Sequence, residues 1–207
     1  EALAGRRCAL VFAPSEEELY PRGREGLTEV RVPGLSARYC GEHRPGHFEG
    51  VTTVVNVLLN ICQPDVAVFG EKDRQQLYLI EQMTRDLHMP VRVEGVPTMR
   101  EADGLAMSSR NRYLTPGERE RAGHFPRVLK ALVQQLSSRT VTVGAGLEHA
   151  REQLLAAGLA PQYLELVNAE FQPVAELGAG EYFVLAAVTV GQARLIDNFA
   201  FGIASAC

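Results

Sequence analysis

The sequence predicts an α/β protein in two parts: a parallel sheet built from helix–strand repeats, followed by a small α+β unit with antiparallel strands. Three observations predict it. Helical and strand periodicities alternate between positions 51 and 96, only helical signals occupy 115 to 157, and strand signals dominate 163 to 201.

In chain order, Cys8-Ala9-Leu10-Val11-Phe12 reads as a first strand stopped by Pro14, and the acidic turn Ser15 to Glu18 can start a short helix. Leu27 to Val32 alternates weakly and ends at Pro33-Gly34, the pattern of an edge strand or extended arm. Val51, Val54, Val55, Leu58, Leu59 and Cys62 then mark one face of a helix that ends at Pro64-Asp65. Val66 to Phe69 is an apolar run short enough for a buried strand. An amphipathic helix follows with Leu77, Ile80, Met83 or Thr84, and Leu87, and Pro90 separates it from a strand over Val91 to Val96. Helix, strand, helix, strand is the order of a parallel sheet with right-handed crossovers.

Beyond Arg112 the character changes. Thr115-Pro116-Gly117-Glu118 has capping-box spacing with proline at the first helical position, so a helix starts there. Gly123 and Pro126 split it from a second piece through Val128, Leu129, Leu132 and Leu136. Another helix covers about 146 to 157 with Gly158 placed to end it. Tyr163 to Val167, Tyr182 to Val190 and Arg194 to Phe201 read as strands, the last two joined by a hairpin at Gly191-Gln192. The change of character falls within Pro97 to Arg112 and predicts domains at 1–98 and 99–207.

Composition bounds the function. A chain of 207 residues with 46% hydrophobic content can bury a core, and a formal net charge of -4 gives no bulk attraction to nucleic acid. Cys8, Cys40, Cys62 and Cys207 lack metal-type spacing and predict buried free thiols in a reducing compartment. No stretch reaches the roughly 18 apolar residues of a membrane span, and no basic-then-apolar leader opens the chain, so a soluble, cytoplasmic protein is expected.

Lys72 and Lys130 are the two lysines among 21 basic residues. Lys72 follows the apolar run directly, in Gly70-Glu71-Lys72-Asp73, at the strand end where open α/β sheets bind ligands. Gly70 would allow close backbone approach, Lys72 could reach a phosphate oxygen, and the next helix would aim its N-terminus at the same place. Asp73 and Gln76 could take ribose or substrate hydroxyls. Further on, Ser108-Ser109-Arg110 offers two hydroxyls and a planar cation suited to gripping phosphate. Together the two segments read as a polyphosphate clamp. Singly, each has a bland alternative: a solvated loop lysine, or a turn cap with a surface arginine. No P-loop and no Gly-x-Gly-x-x-Gly occurs, which excludes an ordinary kinase or dinucleotide site. His43-Arg44-Pro45-Gly46-His47 has no acid or cysteine at ligand spacing and suits a substrate-loop or structural role better than a metal site. Glu71 and Asp73 could help hold magnesium or could simply be solvated.

Six segments resemble the pantothenate synthetase (pantoate–β-alanine ligase) family. They are Tyr20-Pro21, Arg44 to Phe48, Gly70 to Asp73 with Gln75-Gln76, Gly95 to Thr98, Asp103 to Tyr113, and Ala193 to Asn198. The resemblance covers essentially the entire chain. It implies a Rossmann-like fold of the nucleotidyltransferase type. It also implies a two-step reaction, in which ATP and pantoate form pantoyl adenylate and pyrophosphate, and β-alanine then displaces AMP. By the same resemblance Gly70, Glu71, Lys72, Asp73, Met99, Met107, Ser108, Ser109 and Arg110 would bind ATP, with Lys72, Ser108, Ser109 and Arg110 on the phosphates and catalytic. Gln76 would bind pantoate, Mg²⁺ would accompany ATP, the segment around Ser108 would be the mobile cover, and a homodimer is the family's expected state.

One departure from the family stands out. Its N-terminal portion, with a first strand and a Met-Gly-x-x-His-x-Gly-His motif for ATP, has no counterpart here, and His43 to His47 differs from that motif by one extra residue. The chain is therefore expected to hold the second half of the Rossmann-like domain plus the C-terminal domain, to be poorly active alone, and to self-associate or rearrange its sheet. The alternatives are another adenylate-forming nucleotidyltransferase and a non-catalytic, self-associating fragment.

Overall fold

A computed structural model describes residues 3–205, which leaves Cys207 outside the described residues. Helix α1 (Glu16–Leu19) is the short helix that the acidic turn predicts, and it opens with a Ser15/Glu18 capping box. An irregular stretch leads to α2 (His47–Cys62), followed by β1 (Val66–Gly70), a 3₁₀ turn at Glu71–Asp73, α3 (Arg74–Asp86) and β2 (Arg92–Val96). The two strands pair in parallel, from Val66 opposite Arg92 to Gly70 opposite Val96. Leu79, Ile80 and Met83 of α3 fill the space between one sheet face and α2, against Phe48, Leu59, Ala67, Phe69 and Val93. The helix–strand–helix–strand order is thus realised as periodicity predicts.

Three expectations fail in this region. Cys8 to Phe12 forms no strand and Leu10 is 82% exposed. A strand needs a neighbour for its N–H and C=O groups, and none lies beside this run among the described residues. For the same reason β1 is not buried: its second face is uncovered, with Val68 56% exposed. Of the predicted thiols, Cys40 is buried but Cys8 and Cys62 are exposed.

Helix α2 also turns differently from its apolar face. Of the six predicted positions only Leu59 is fully buried, and Thr52 and Thr53 are buried instead. Their hydroxyls dock the segment before the helix. The Thr52 hydroxyl lies 2.5 Å from the Val30 carbonyl, and the Val30 N–H donates to the Thr53 hydroxyl at 3.0 Å. Leu27 to Val32 is therefore the extended arm of the two forms considered, fastened through side chains rather than a ladder.

After a linking segment come α4 (Pro116–Ala122), α5 (His124–Ser137) and α6 (Val143–Ala156). Thr115 and Glu118 form the predicted capping box, and Gly123 separates α4 from α5. Strands β3 (Ala160–Asn168), β4 (Gly180–Val190) and β5 (Ala193–Ile203) make an antiparallel meander in that order. Period-two alternation sorts β4 onto two surfaces. Val184, Ala186 and Val188 face Phe125, Leu129, Leu132 and Leu136 of α5, whereas Phe183 and Leu185 meet Tyr39 and Phe171 on the other side. The tight β4–β5 turn requires a positive φ at Gly191, which is 56°.

The linking segment is itself ordered by polar contacts. Residues Arg100 and Ala106 form an antiparallel bridge and Leu105 is buried in the α5 core. Arg119 of α4 donates to Glu101 and Asp103, and Asn111 donates to Glu101. The Arg119 guanidinium, joined at Glu101 by Asn111, holds both carboxyls below their ordinary values of 4.5 and 3.8.

Three outcomes follow from this packing. Leu129→Ala empties a position with 0% exposure and should cost about 2–5 kcal/mol in denaturant unfolding, with the unfolding slope unchanged. Depressed carboxyls stabilise above their unfolded pKa and lose that contribution as pH falls through the folded one. The deficit of Arg119→Ala in thermal melts should therefore be full above pH ~4.5 and vanish in stronger acid. Apolar exposure at Leu10, Val11, Phe12, Val68 and Val96 should drive association with a second copy, seen as concentration-dependent light scattering. A compact monomer at all concentrations would contradict that.

Candidate active site

The C-terminal end of β1 delivers Lys72 on the 3₁₀ turn at Glu71–Asp73, and α3 starts at once behind it. A cavity opens there. The first turn of α3 lines it with Arg74, Gln75 and Gln76, and the first turn of α2 lines it with His47 and Phe48. Two helix N-termini therefore border one space, and the positive ends of both macrodipoles favour an anion in it.

Five cations share this cavity: Lys72, Arg74 in the first turn of α3, Arg44 before α2, Arg110 on the 3₁₀ turn Ser109–Tyr113, and Arg194 at the start of β5. None of the five is salt-bridged among the described residues. Arg44, Arg110 and Arg194 also line an adjoining, wider cleft that continues to Tyr113, Thr115 and Gln192. Asp73 is the exposed acid on the first cavity's wall, and Asp197 beneath it is already occupied by Arg100.

The charge imbalance is felt by His47. Burial first, then Arg44, lower its imidazole below the ordinary 6.5; Asp73 pulls the other way, and Arg194 and Arg110 add smaller lowering effects. As the neutral ring its Nε2 can accept the Arg44 Nη1 hydrogen at 2.8 Å. His43 instead stacks on Tyr163, with ring centroids 6.2 Å apart. The paired histidines thus serve separate purposes, one orienting an arginine and one covering an aromatic ring.

Two neighbouring glutamines divide between frame and cavity. Gln75 is buried; its amide accepts from the Cys40 N–H at 3.1 Å and donates to the Leu35 and Arg38 carbonyls at 2.9 Å each. It thereby holds the loop that carries Cys40 and Arg44. Gly41 belongs to the same tight loop, since a Cβ there would sit 1.8 Å from the Ser36 carbonyl oxygen. Gln76, half-buried, turns to the cavity.

Behind the cations lies a second layer. Arg194 donates to Gln162 at 2.6 Å and to the Cys40 sulfur at 3.1 Å, and the Tyr163 hydroxyl lies 3.3 Å from that sulfur. Burial pushes the Tyr163 phenol up, so it stays protonated. Asp197 is fully buried and receives two parallel hydrogen bonds from Arg100, at 2.8 and 2.9 Å. Burial raises its carboxyl above 3.8, and the Arg100 pair opposes that rise.

Of the residues that sequence singles out, Lys72, Asp73, Gln76 and Arg110 meet in this cavity. Glu71 lies on a neighbouring cleft with Arg74, Thr98 and Arg100. Gly70 ends β1 with open space where a side chain would be. The Ser108 hydroxyl accepts the Arg110 N–H at 3.2 Å and so caps the turn, while Ser109 is exposed beside it. Met99 and Met107 are joined through the backbone, Met107 N–H to Met99 carbonyl at 2.8 Å, with side chains 71% and 54% exposed. Neither methionine lines the cationic cavity. Arg194, Tyr163 and Asn198 reach it from the distant meander and carry no local sequence signal of doing so.

A family model described as pantoate-beta-alanine ligase matches residues 1–200. The pantothenate synthetase of Thioalkalivibrio sulfidiphilus is 51% identical over 197 residues, spanning 95% of this chain and 69% of that one. That of Shewanella amazonensis is 47% identical over 200 residues, 97% of this chain and 71% of that one. A crystal structure of the Thermus thermophilus enzyme superposes with a TM-score of 0.88 at 43% identity, covering 96% of this chain and 71% of the other. The pantoate-beta-alanine ligase of Francisella tularensis, crystallised with beta-gamma ATP and beta-alanine, gives a TM-score of 0.76 at 31% identity, covering 96% and 67%. On that identity and coverage, the chain belongs to the pantoate–β-alanine ligase family.

Proposed function

We propose that this protein binds ATP and pantoate across the cationic cavity and the wider cleft that adjoins it, forms pantoyl adenylate with release of pyrophosphate, and transfers the pantoyl group to β-alanine with release of AMP. The observation that carries the proposal is the gathering of Lys72, Arg44, Arg74, Arg110 and Arg194 around one space without salt-bridging acids. Such a set suits a polyphosphate and disfavours a neutral or cationic ligand.

In the first step a pantoate carboxylate oxygen bonds to the α-phosphorus as the bond to the bridging oxygen of pyrophosphate breaks. Negative charge spreads over the phosphoryl oxygens and accumulates on the leaving group. Lys72 and Arg110 stabilise that charge from fixed positions, and Arg44 and Arg194 extend the field toward the adjoining cleft. Gln76 offers one donor pair and one acceptor to pantoate. In the second step the free amine of β-alanine attacks the acyl carbon, the acyl–oxygen bond to AMP breaks, and the amine loses a proton.

By the family resemblance Gly70, Glu71, Met99, Met107, Ser108 and Ser109 would complete the proposed ATP set. Ser108 would act by ordering the turn that carries Arg110, and that turn would be the cover that keeps water from the acyl adenylate. Mg²⁺ fits this donor set on ATP itself, because among the described residues no cluster of three protein ligands exists and Asp73 alone faces the cavity as a free acid. Bound there, the ion would neutralise phosphate charge. Residues 1–98 and 99–207 would then be two units meeting at the site, and a homodimer is the expected assembly.

Pantoate-dependent pyrophosphate release tests the reading. Lys72→Ala should lower it about 100-fold or more relative to the parent chain, with Arg110→Ala similar in sign. ATP at about 100 times its Kd should stabilise the fold by roughly 2.7 kcal/mol, visible as a raised Tm. Release that requires a different carboxylic acid would indicate another adenylate-forming enzyme, and absence of any nucleotide effect would sink the ATP site.

A further inference from the structure

The turn that carries Lys72 is held at the cavity by a strand distant in sequence. The Asn198 side-chain amide, on β5, donates at 2.9 Å to the Glu71 carbonyl and at 3.0 Å to the Lys72 carbonyl, two consecutive acceptors of the 3₁₀ turn. Asn198 is in turn fixed by its neighbour. Its own N–H donates to Asp197 Oδ1 at 2.8 Å, and the same carboxylate is gripped by Arg100. Arg100 lies over the Phe199 ring, 4.2 Å from its centroid, and also donates to the Gly104 carbonyl at 2.9 Å.

We infer that Asn198 is a positioning residue for the nucleotide-phosphate step, acting through Lys72; this rests on the proposed role of Lys72. A lysine side chain has a flexible four-carbon stem, and its ammonium is useful only if the backbone beneath it is fixed. The turn at Glu71–Asp73 has no capping side chain of its own. Asn198 supplies the missing constraint with one amide group, and the Arg100–Asp197 pair passes that constraint to the linking segment that also carries Arg110. The two cationic turns are thereby registered against one strand.

Asn198→Ala removes the donor without adding charge, and Asn198→Asp keeps the shape but sets a carboxylate against two carbonyls and beside the anion site. ATP affinity, measured by calorimetry in the parent chain and in Lys72→Ala, forms a double-mutant cycle. Asn198→Asp should weaken ATP binding about tenfold in the parent background, and Asn198→Ala somewhat less. In the Lys72→Ala background Asn198→Ala should change it by less than about twofold. A merely structural asparagine would cause the same loss in both backgrounds, and that result, or no loss in the parent, overturns the inference. If Asn198→Asp does not fold, the alanine cycle decides alone. Should Lys72→Ala itself leave ATP affinity unchanged, the site assignment fails first, which separates the two failures.

Discussion

Positive charge that the protein does not neutralise is the constraint around which this structure is organised. Five cationic side chains line one cavity, and their mutual repulsion would splay the loops that carry them. Burial lowers the imidazole of His47, and Arg44, Arg194 and Arg110 lower it further, because another positive charge there would add to theirs. Every segment presenting a cation is tied down by contacts that do not consume its charge. Gln75 pins the Arg44 loop through three backbone bonds, and Asn111, Glu101 and Arg119 brace the turn of Arg110. The acids are spent on the frame.

The buried Arg100–Asp197 pair follows the same logic. Removing both ions from water is expensive, and pairs of this kind are often no more stabilising than apolar residues of equal volume. Its contribution is geometric. A bidentate fork fixes direction as well as distance, and this one sits where β5 passes beneath both cationic turns. Leucine or methionine could fill that volume without specifying the register of the turn at Glu71–Asp73 against the strand.

Local signals made much of this legible from sequence. The capping box at Thr115, the break at Gly123, the hairpin at Gly191 and the alternation of helix and strand between 51 and 96 are all decided within a few residues of chain, and the structure follows them. Lys72 and Arg110 were legible for the same reason, as unusual residues at strand and loop positions. What remained hidden depends on distant chain. Asn198 contacts a turn 126 residues away in sequence, and Arg194 meets Cys40 across 154. The run at Cys8 to Phe12 misleads in the opposite sense, since its composition suits a strand while pairing depends on a neighbour. Threonines on α2 illustrate a third case, in which hydrogen bonding to an extended arm outweighs the pull of a valine-rich face.

The adjacent glutamines show how a helix can place frame and recognition side by side without conflict. Both border the cavity at the first turn of α3. The apolar positions Leu79, Ile80 and Met83 are buried and fix which side of α3 meets the core, but helix phase does not separate the two amides, since Gln75 lies four residues before Leu79 and Gln76 lies four before Ile80 and seven before Met83. Hydrogen bonding separates them instead. Gln75 is buried and satisfies its amide on the loop that carries Arg44. Gln76 is half-buried at the cavity, with its polar groups available to a ligand. The loop before α2 therefore selects which amide can recognise a ligand, by occupying one of them and leaving the other to the cavity.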